Sequence, residues 1–96
     1  MPEVHFRVRW PDEQTVVYYS PSTAVYAHFA AGESYELADF LERSRAAMQQ
    51  ASERVRAKYG YTCSSAMDTL AEIETKAEAL RDRTAAKITV LGFSQG

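Results

Sequence analysis

Val4, Phe6, Val8 and Trp10 fall on every second position of one stretch, with His5, Arg7 and Arg9 between them. A period of two marks a strand that buries one face and wets the other, because successive side chains leave opposite sides of the pleat. The polar, proline-led Pro11-Asp12-Glu13-Gln14 then reads as a turn. Thr15 to Ser20, rich in β-branched and aromatic residues, reads as a second strand, so the two form a hairpin. A four-residue loop over Pro11 to Gln14 sets Trp10 opposite Thr15, Val8 opposite Val17 and Phe6 opposite Tyr19. The same register places Val16 beside Arg9, Tyr18 beside Arg7 and Ser20 beside His5 on the outer side. A slip by one residue would turn Arg7 and Arg9 against the core-side residues of the second strand, which favours the stated pairing.

The spacing changes further along. Ser22 is placed to cap a short helical turn through Ala24 to Ala31, closed by Gly32, although an irregular connection fits this segment equally well. From Leu37 onward, Phe40, Leu41, Ser44, Met48, Ala51, Val55 and Tyr59 recur at steps of three and four, the stripe of an amphipathic helix. Glu36 and Asp39 near its start and Arg54, Arg56 and Lys58 near its end suit the helix dipole, and Gly60 is placed to stop it. Ser65-Ala66-Met67-Asp68 fits a capping box opening a second helix, with Ala66, Leu70, Ile73, Ala77 and Leu80 along its apolar edge. Lys87 to Phe93 reads as a last strand, with Ile88 and Val90 on one side and Leu91 and Phe93 on the other.

The order is β-β-(short α)-α-α-β. It is an α+β chain whose two layers are a three-stranded, mainly antiparallel sheet and two long helices packed on one face. The last strand is expected beside the first, in a direction the sequence leaves open. Ninety-six residues suffice for a single domain spanning 1–96. Hydrophobic residues at 46% and charged residues at 25% are ordinary globular values. Eleven basic against thirteen acidic side chains leave a net charge of −2, unlike a protein that wraps nucleic acid. No apolar run reaches membrane-spanning length and no signal-peptide pattern opens the chain, so a soluble, cytoplasmic protein is expected.

Candidate residues are few, and each has a plain structural reading beside it. Arg7 and Arg9, with Tyr18 and His5, would line the bare sheet face, as in sheet-surface RNA binders. Outward charges on a half-exposed strand explain them more simply, and nucleic acid is an unlikely partner for an acidic chain. Val16, Leu91 and Phe93 would join that face and make it apolar enough to self-associate, so a homodimer is expected. Cys63 is the one cysteine; near a helix N-terminus its thiolate would be favoured, which makes it the one weak catalytic candidate. A free cysteine is more often a packing residue, and His5 and His28 lie far from it in sequence. The carboxylate pairs Glu36/Asp39 and Glu72/Glu74 read as solvated helix surface. No metal-ligand cluster, glycine-rich phosphate loop or cofactor motif is present, so no metal and no cofactor are expected.

Several phrases taken together resemble one family: Met1-Pro2-Glu3, Val8-Arg9-Trp10-Pro11-Asp12, Tyr19-Ser20-Pro21-Ser22, Arg43-Ser44, Ala51 to Arg56 and Tyr59 to Ala66. The family is that of small bacterial nitrogen starvation response proteins encoded beside a nitrilase in a recurring gene cluster, and the resemblance covers nearly the whole chain. Glu13 departs from the pattern, since relatives often carry glycine after Pro-Asp. The resemblance implies a cytoplasmic bacterial protein of a nitrogen-related pathway. Neighbouring genes resemble a radical S-adenosylmethionine enzyme, an acetyltransferase, a purine-synthesis-like enzyme and a flavoprotein. It supplies no activity for the small protein itself. The leading expectation is a non-enzymatic accessory protein that binds enzymes of that cluster. The alternatives are a small enzyme using Cys63, or nucleic-acid binding on the Arg7, Arg9 and Tyr18 face.

Overall fold

The computed structural model describes residues 3–60, 64–83 and 87–95, and within them the sheet has four strands rather than three. The hairpin is β1 (Val4–Arg9) and β2 (Thr15–Ser20); a 3₁₀ turn (Thr23–Ala27) leads to β3 (Ser34–Glu36) and directly into α1 (Leu37–Tyr59). Then come α2 (Ser65–Ala79), a short 3₁₀ turn (Arg81–Arg83) and β4 (Lys87–Gln95). The order across the sheet is β2-β1-β4-β3, with every neighbouring pair antiparallel. The last strand therefore does lie beside the first, and its direction is now defined. β3 escaped the sequence reading because three mostly polar residues make no visible alternation.

The hairpin differs from the expected one by a single residue. Trp10 N–H donates to the Gln14 carbonyl and Glu13 N–H donates to the Trp10 carbonyl, each at 2.9 Å. Glu13 sits in the left-handed region, at φ +68°. A β-turn closed by one left-handed residue is the three-residue hairpin loop with a bulge, so Gln14, not Thr15, faces Trp10. Every later pair moves with it: Val8 faces Val16, Arg7 faces Val17 and Phe6 faces Tyr18. The arginines nonetheless stay outside. β2 turns Tyr18 and Ser20 inward with Val16 half-buried, and leaves Thr15 and Val17 exposed. Thr15-Val16-Val17-Tyr18-Tyr19 is apolar or β-branched throughout, so either alternate set could serve as its inner face.

A second irregularity re-aims β4. Arg7 pairs with Gly92 while Val8 pairs with Val90, leaving Leu91 as an extra residue in a bulge. Ile88 and Val90 are buried as expected. Beyond the bulge Phe93 comes round opposite Phe6 and packs on the core, its ring 4.9 Å from that of Tyr26.

The helices confirm their stripe. Leu37, Phe40, Ser44, Ala47, Met48, Ala51 and Val55 are the buried residues of α1. Gly60 ends it in a left-handed cap at φ +77°, donating its N–H to the Arg56 carbonyl. Tyr59, the last residue of the stripe, is exposed. In α2 the buried residues are Ala66, Thr69, Ile73 and Ala77. Its cap position is Ser64, with no side-chain capping bond, and Ser65 is already helical, so the expected capping box does not open this helix.

Both helices and the inner sheet face share one hydrophobic cluster, which includes Val4, Phe6, Val8, Phe40, Met48, Ile73, Ile88 and Val90. At its centre aromatic rings touch in a chain. Phe6 and Phe29 lie 6.1 Å apart, Phe29 and Phe40 5.2 Å, and Phe40 and Trp10 5.4 Å. Full burial of such a side chain is worth roughly 1.5–3 kcal/mol each, with edge contacts adding to that.

The recurrent polar phrases have local explanations. In Ser20-Pro21-Ser22, the Ser20 hydroxyl donates to the Ser22 carbonyl at 2.8 Å, and Ser22 Oγ accepts from Ala24 N–H at 3.1 Å. The expected cap at Ser22 is thus real, over a turn shorter than anticipated. In Trp10-Pro11-Asp12, one Asp12 oxygen accepts from Gln14 N–H at 3.1 Å and the other from Lys76 of α2 at 2.7 Å. The Trp10-Pro11-Asp12 turn is therefore held to α2, and Ser20-Pro21-Ser22 caps the 3₁₀ turn that follows it.

Candidate interaction face

The sheet is covered by helices on one side only, and its other side carries the residues the chain leaves in contact with water. β1 runs through the middle and presents His5, Arg7 and Arg9; β2 adds Thr15, Val17 and Tyr19 on one flank. On the other flank β4 and β3 join Thr89 to Ser34 by a hydroxyl–hydroxyl bond of 2.8 Å. Three rows can be read across the strands from the pairings. Thr15, Arg9, Thr89 and Ser34 form one, Val17, Arg7 and Gly92 the next, and Tyr19, His5 and Ser94 the third.

The middle row is the most unusual. Val17 is 58% exposed, and Leu91 in the neighbouring bulge is 39% exposed, while Arg7 stands between β2 and a glycine. A Cβ built on Gly92 would meet nothing within 4 Å, so the Gly92 flank of Arg7 is open. Among the described residues neither Arg7 nor Arg9 takes part in a salt bridge. Both are exposed. Two unpaired guanidinium groups on one strand, each with five donors in a planar fork, suit carboxylate or phosphate recognition. The acidic side chains lie off-centre: Glu3 accepts from the Tyr19 hydroxyl at 3.3 Å, and Glu36 faces Lys87 across the β3–β4 edge. The Tyr19 ring meets His5 edge-on at 5.6 Å.

Of the expected binding residues, Arg7, Arg9 and His5 do share this face, and Tyr18 does not. Tyr18 is buried on the helix side, where its hydroxyl accepts the Trp10 indole N–H at 3.1 Å. Burial pushes the Tyr18 phenol up to about 12, so it stays neutral and cannot offer charge or a free ring to a ligand. Tyr19 takes its place outside. The same one-residue shift removes Val16 from the outer face, and the β4 bulge removes Phe93; both pack on the core instead. Of the expected self-association trio only Leu91 remains exposed, and Val17, which the register argument had turned inward, joins it.

The other candidates do not assemble. Cys63 lies outside the described residues. His28 bonds to Gln50 of α1 at 3.0 Å and its carbonyl accepts from Arg43, whereas His5 is on the open face. Asp39 pairs with Arg43 at 3.0 Å and Glu74 with Arg45 at 3.2 Å, both as exposed helix-surface bridges. Among the described residues no group of three or more His, Cys, Asp or Glu side chains is placed to hold a metal ion. No described helix is long and apolar enough to cross a membrane.

One polar contact was invisible in the sequence. Lys76 of α2 bridges to both Asp12 and Gln14 at the hairpin turn, and this bond holds the Asp12 carboxyl below its usual range. Nothing in the spacing of residues 12 and 76 signals it. A family model described as nitrogen starvation-induced protein NitG matches residues 5–93. No curated protein and no solved structure matches the chain.

Proposed function

We propose that this chain, which belongs to the NitG family of nitrogen starvation-induced proteins, works as a non-enzymatic accessory protein that binds an acidic protein surface through its uncovered sheet face. The observation that carries this reading is the pair of unpaired arginines on the central strand, flanked by the exposed apolar side chains of Val17 and Leu91. Interfaces that bind specifically combine apolar contact with a few well-placed charged groups, and arginine is favoured there. The rigid sheet holds Arg7 and Arg9 on one face, so their spacing is fixed before any partner arrives. The partners most in keeping with the family resemblance are enzymes encoded in the same gene cluster, in the cytoplasm of a bacterium.

The test is capture of those neighbouring gene products by the full-length chain, compared with the double variant Arg7→Glu/Arg9→Glu. Retention of one of them by the parent chain and its loss with the variant supports the reading. A captured enzyme that the double variant holds equally well overturns it, and so does retention of single-stranded RNA at moderate salt in place of any protein. Added salt should weaken the complex, because exposed charges are screened within about 8 Å at physiological ionic strength.

A further inference from the structure

Of the two edge strands among the described residues, β2 has the longer open edge. Trp10 and Gln14 share a ladder hydrogen bond, so bonded pairs recur at Val8/Val16 and Phe6/Tyr18. The backbone groups of Thr15, Val17 and Tyr19 consequently point away from β1. Thr69 of α2 confirms this by donating its hydroxyl to the Tyr19 carbonyl at 2.7 Å. That contact occupies one end of the edge. Toward Thr15 and Val17 the strand has no sheet neighbour among the described residues, and Thr15 to Ser20 contains no lysine, no proline and no charge to discourage another strand. Beside this edge runs a groove of about 520 Å³ between β2 and α2, lined by Val16, Tyr18, Ala71, Glu72, Thr75 and Lys76.

We infer that this edge pairs with the same edge of a second copy of the chain, antiparallel about a two-fold axis at Val16, so that Thr15 of each copy faces Val17 of the other and two sheets join into one. Charge complementarity selects that occupant. α2 runs antiparallel to β2, with Thr69 beside Tyr19 and Lys76 beside Gln14, so an axis at Val16 passes near the middle of the helical turn from Glu72 to Lys76. The two α2 helices then meet antiparallel, and Glu72 of each lies against Lys76 of the other. Glu72 makes no salt bridge among the described residues, and Lys76 keeps one ammonium N–H beyond its bonds to Asp12 and Gln14. Ala71 and Thr75 are short enough to let the helices approach. On the outer face Val17 of each copy packs against Thr15 of the other, which covers part of the most exposed of the large apolar side chains. Such an interface is isologous, as closed two-fold dimers require. It leaves Arg7 and Arg9 uncovered and doubles the face proposed above for a partner.

Sedimentation equilibrium of the full chain across the micromolar range tests this, alongside Glu72→Lys, Val17→Pro and Arg7→Glu/Arg9→Glu. A dimer is expected for the parent. Glu72→Lys sets lysine against lysine and should raise the dissociation constant at least about tenfold, roughly 1.4 kcal/mol. Val17→Pro removes an N–H that points away from β1 and should do the same. Tryptophan fluorescence of the buried Trp10 reports whether each variant is folded; if the proline variant is not, the lysine variant decides alone. The arginine double variant should leave the dimer intact. A parent chain that stays monomeric throughout overturns the inference, in favour of an extended segment of another protein at this edge. A dimer untouched by Glu72→Lys, or dissolved by the arginine variant, overturns it as well, and the latter result leaves the partner-binding reading to be tested separately.

Discussion

The two edges of the sheet solve the same problem differently. β3 is three residues long, follows Glu33 and leads straight into α1, so its free backbone is too short to template another strand. One aromatic pins it. The Tyr35 hydroxyl accepts from Ala30 N–H at 2.9 Å, its ring meets Phe29 at 5.4 Å, and Arg43 stacks over it at 4.8 Å. β2 is twice as long, and its interior side is locked far more firmly, through Trp10, Tyr18, Thr69 and the Lys76–Asp12 bridge. Its outward backbone is nonetheless left bare between Thr15 and Val17. Edges are thus defended here by brevity on one flank, while on the other a well-anchored strand stays available, and anchoring is what allows a long edge to remain open without fraying.

That contrast can be broken most forcefully at Trp10, which is 1% exposed. Trp10→Ala is expected to destabilise the fold by about 3–5 kcal/mol in denaturant titration, the cost of truncating a large buried aromatic. A loss below about 1 kcal/mol would show that β2 does not depend on this anchor. Tyr18→Phe should cost less, about 1–3 kcal/mol, because it leaves the indole N–H buried without an acceptor. The same residue predicts an alkaline limb. The phenol titrates near 10 when unfolded and at about 12 when folded, so its contribution is complete below pH 10 and is lost as pH rises toward 12. The limb should vanish in Tyr18→Phe, as thermal melts at increasing pH would show.

Thr69→Val removes the hydroxyl clamp on the Tyr19 carbonyl and should cost about 1 kcal/mol. It should also raise amide exchange along β2 while leaving β3 unchanged. Glu13→Gly is the one substitution expected to help, by up to about 1 kcal/mol, since glycine adopts φ +68° without the steric cost a side chain incurs. An unchanged or lowered midpoint would mean that the turn tolerates glutamate freely. The smallest effect belongs to the acid range. The Asp12 carboxyl titrates lower when folded because of Lys76, so its contribution is present above the ordinary carboxylate pKa and fades as pH falls below it. Lys76→Met should flatten that limb.

Much of this architecture was readable from side-chain spacing alone. The apolar stripe from Leu37 to Val55, the stop at Gly60 and the alternation of β1 all describe what is found, since each depends on local geometry repeated many times. The misreadings come from single residues that change a count. One left-handed residue at Glu13 shortens a loop and exchanges the inner and outer sets of β2, which sends Tyr18 and Val16 to the core and Val17 and Tyr19 outward. One extra residue at Leu91 does the same for Phe93. In both strands apolar residues occupy consecutive positions, so alternation could not expose the error. This chain carries glutamate where glycine is the favoured left-handed residue, so nothing at Glu13 marked the shorter loop. The candidate face was legible only for β1, where charge and apolarity strictly alternate.

The central ladder of the sheet joins β1, the earliest strand of the chain, to β4, the latest. During synthesis the hairpin and both helices emerge while the inner edge of β1 still has nothing to pair with. Completion of the layer waits for a long loop closure, the kind of contact that slows folding. Until β4 arrives, β1 has no partner on its inner side and β3 has none at all, and a premature stop before Lys87 would strand the nascent chain in that condition. Fragments of this kind should be caught by chaperones or cleared by proteases far more readily than the finished chain.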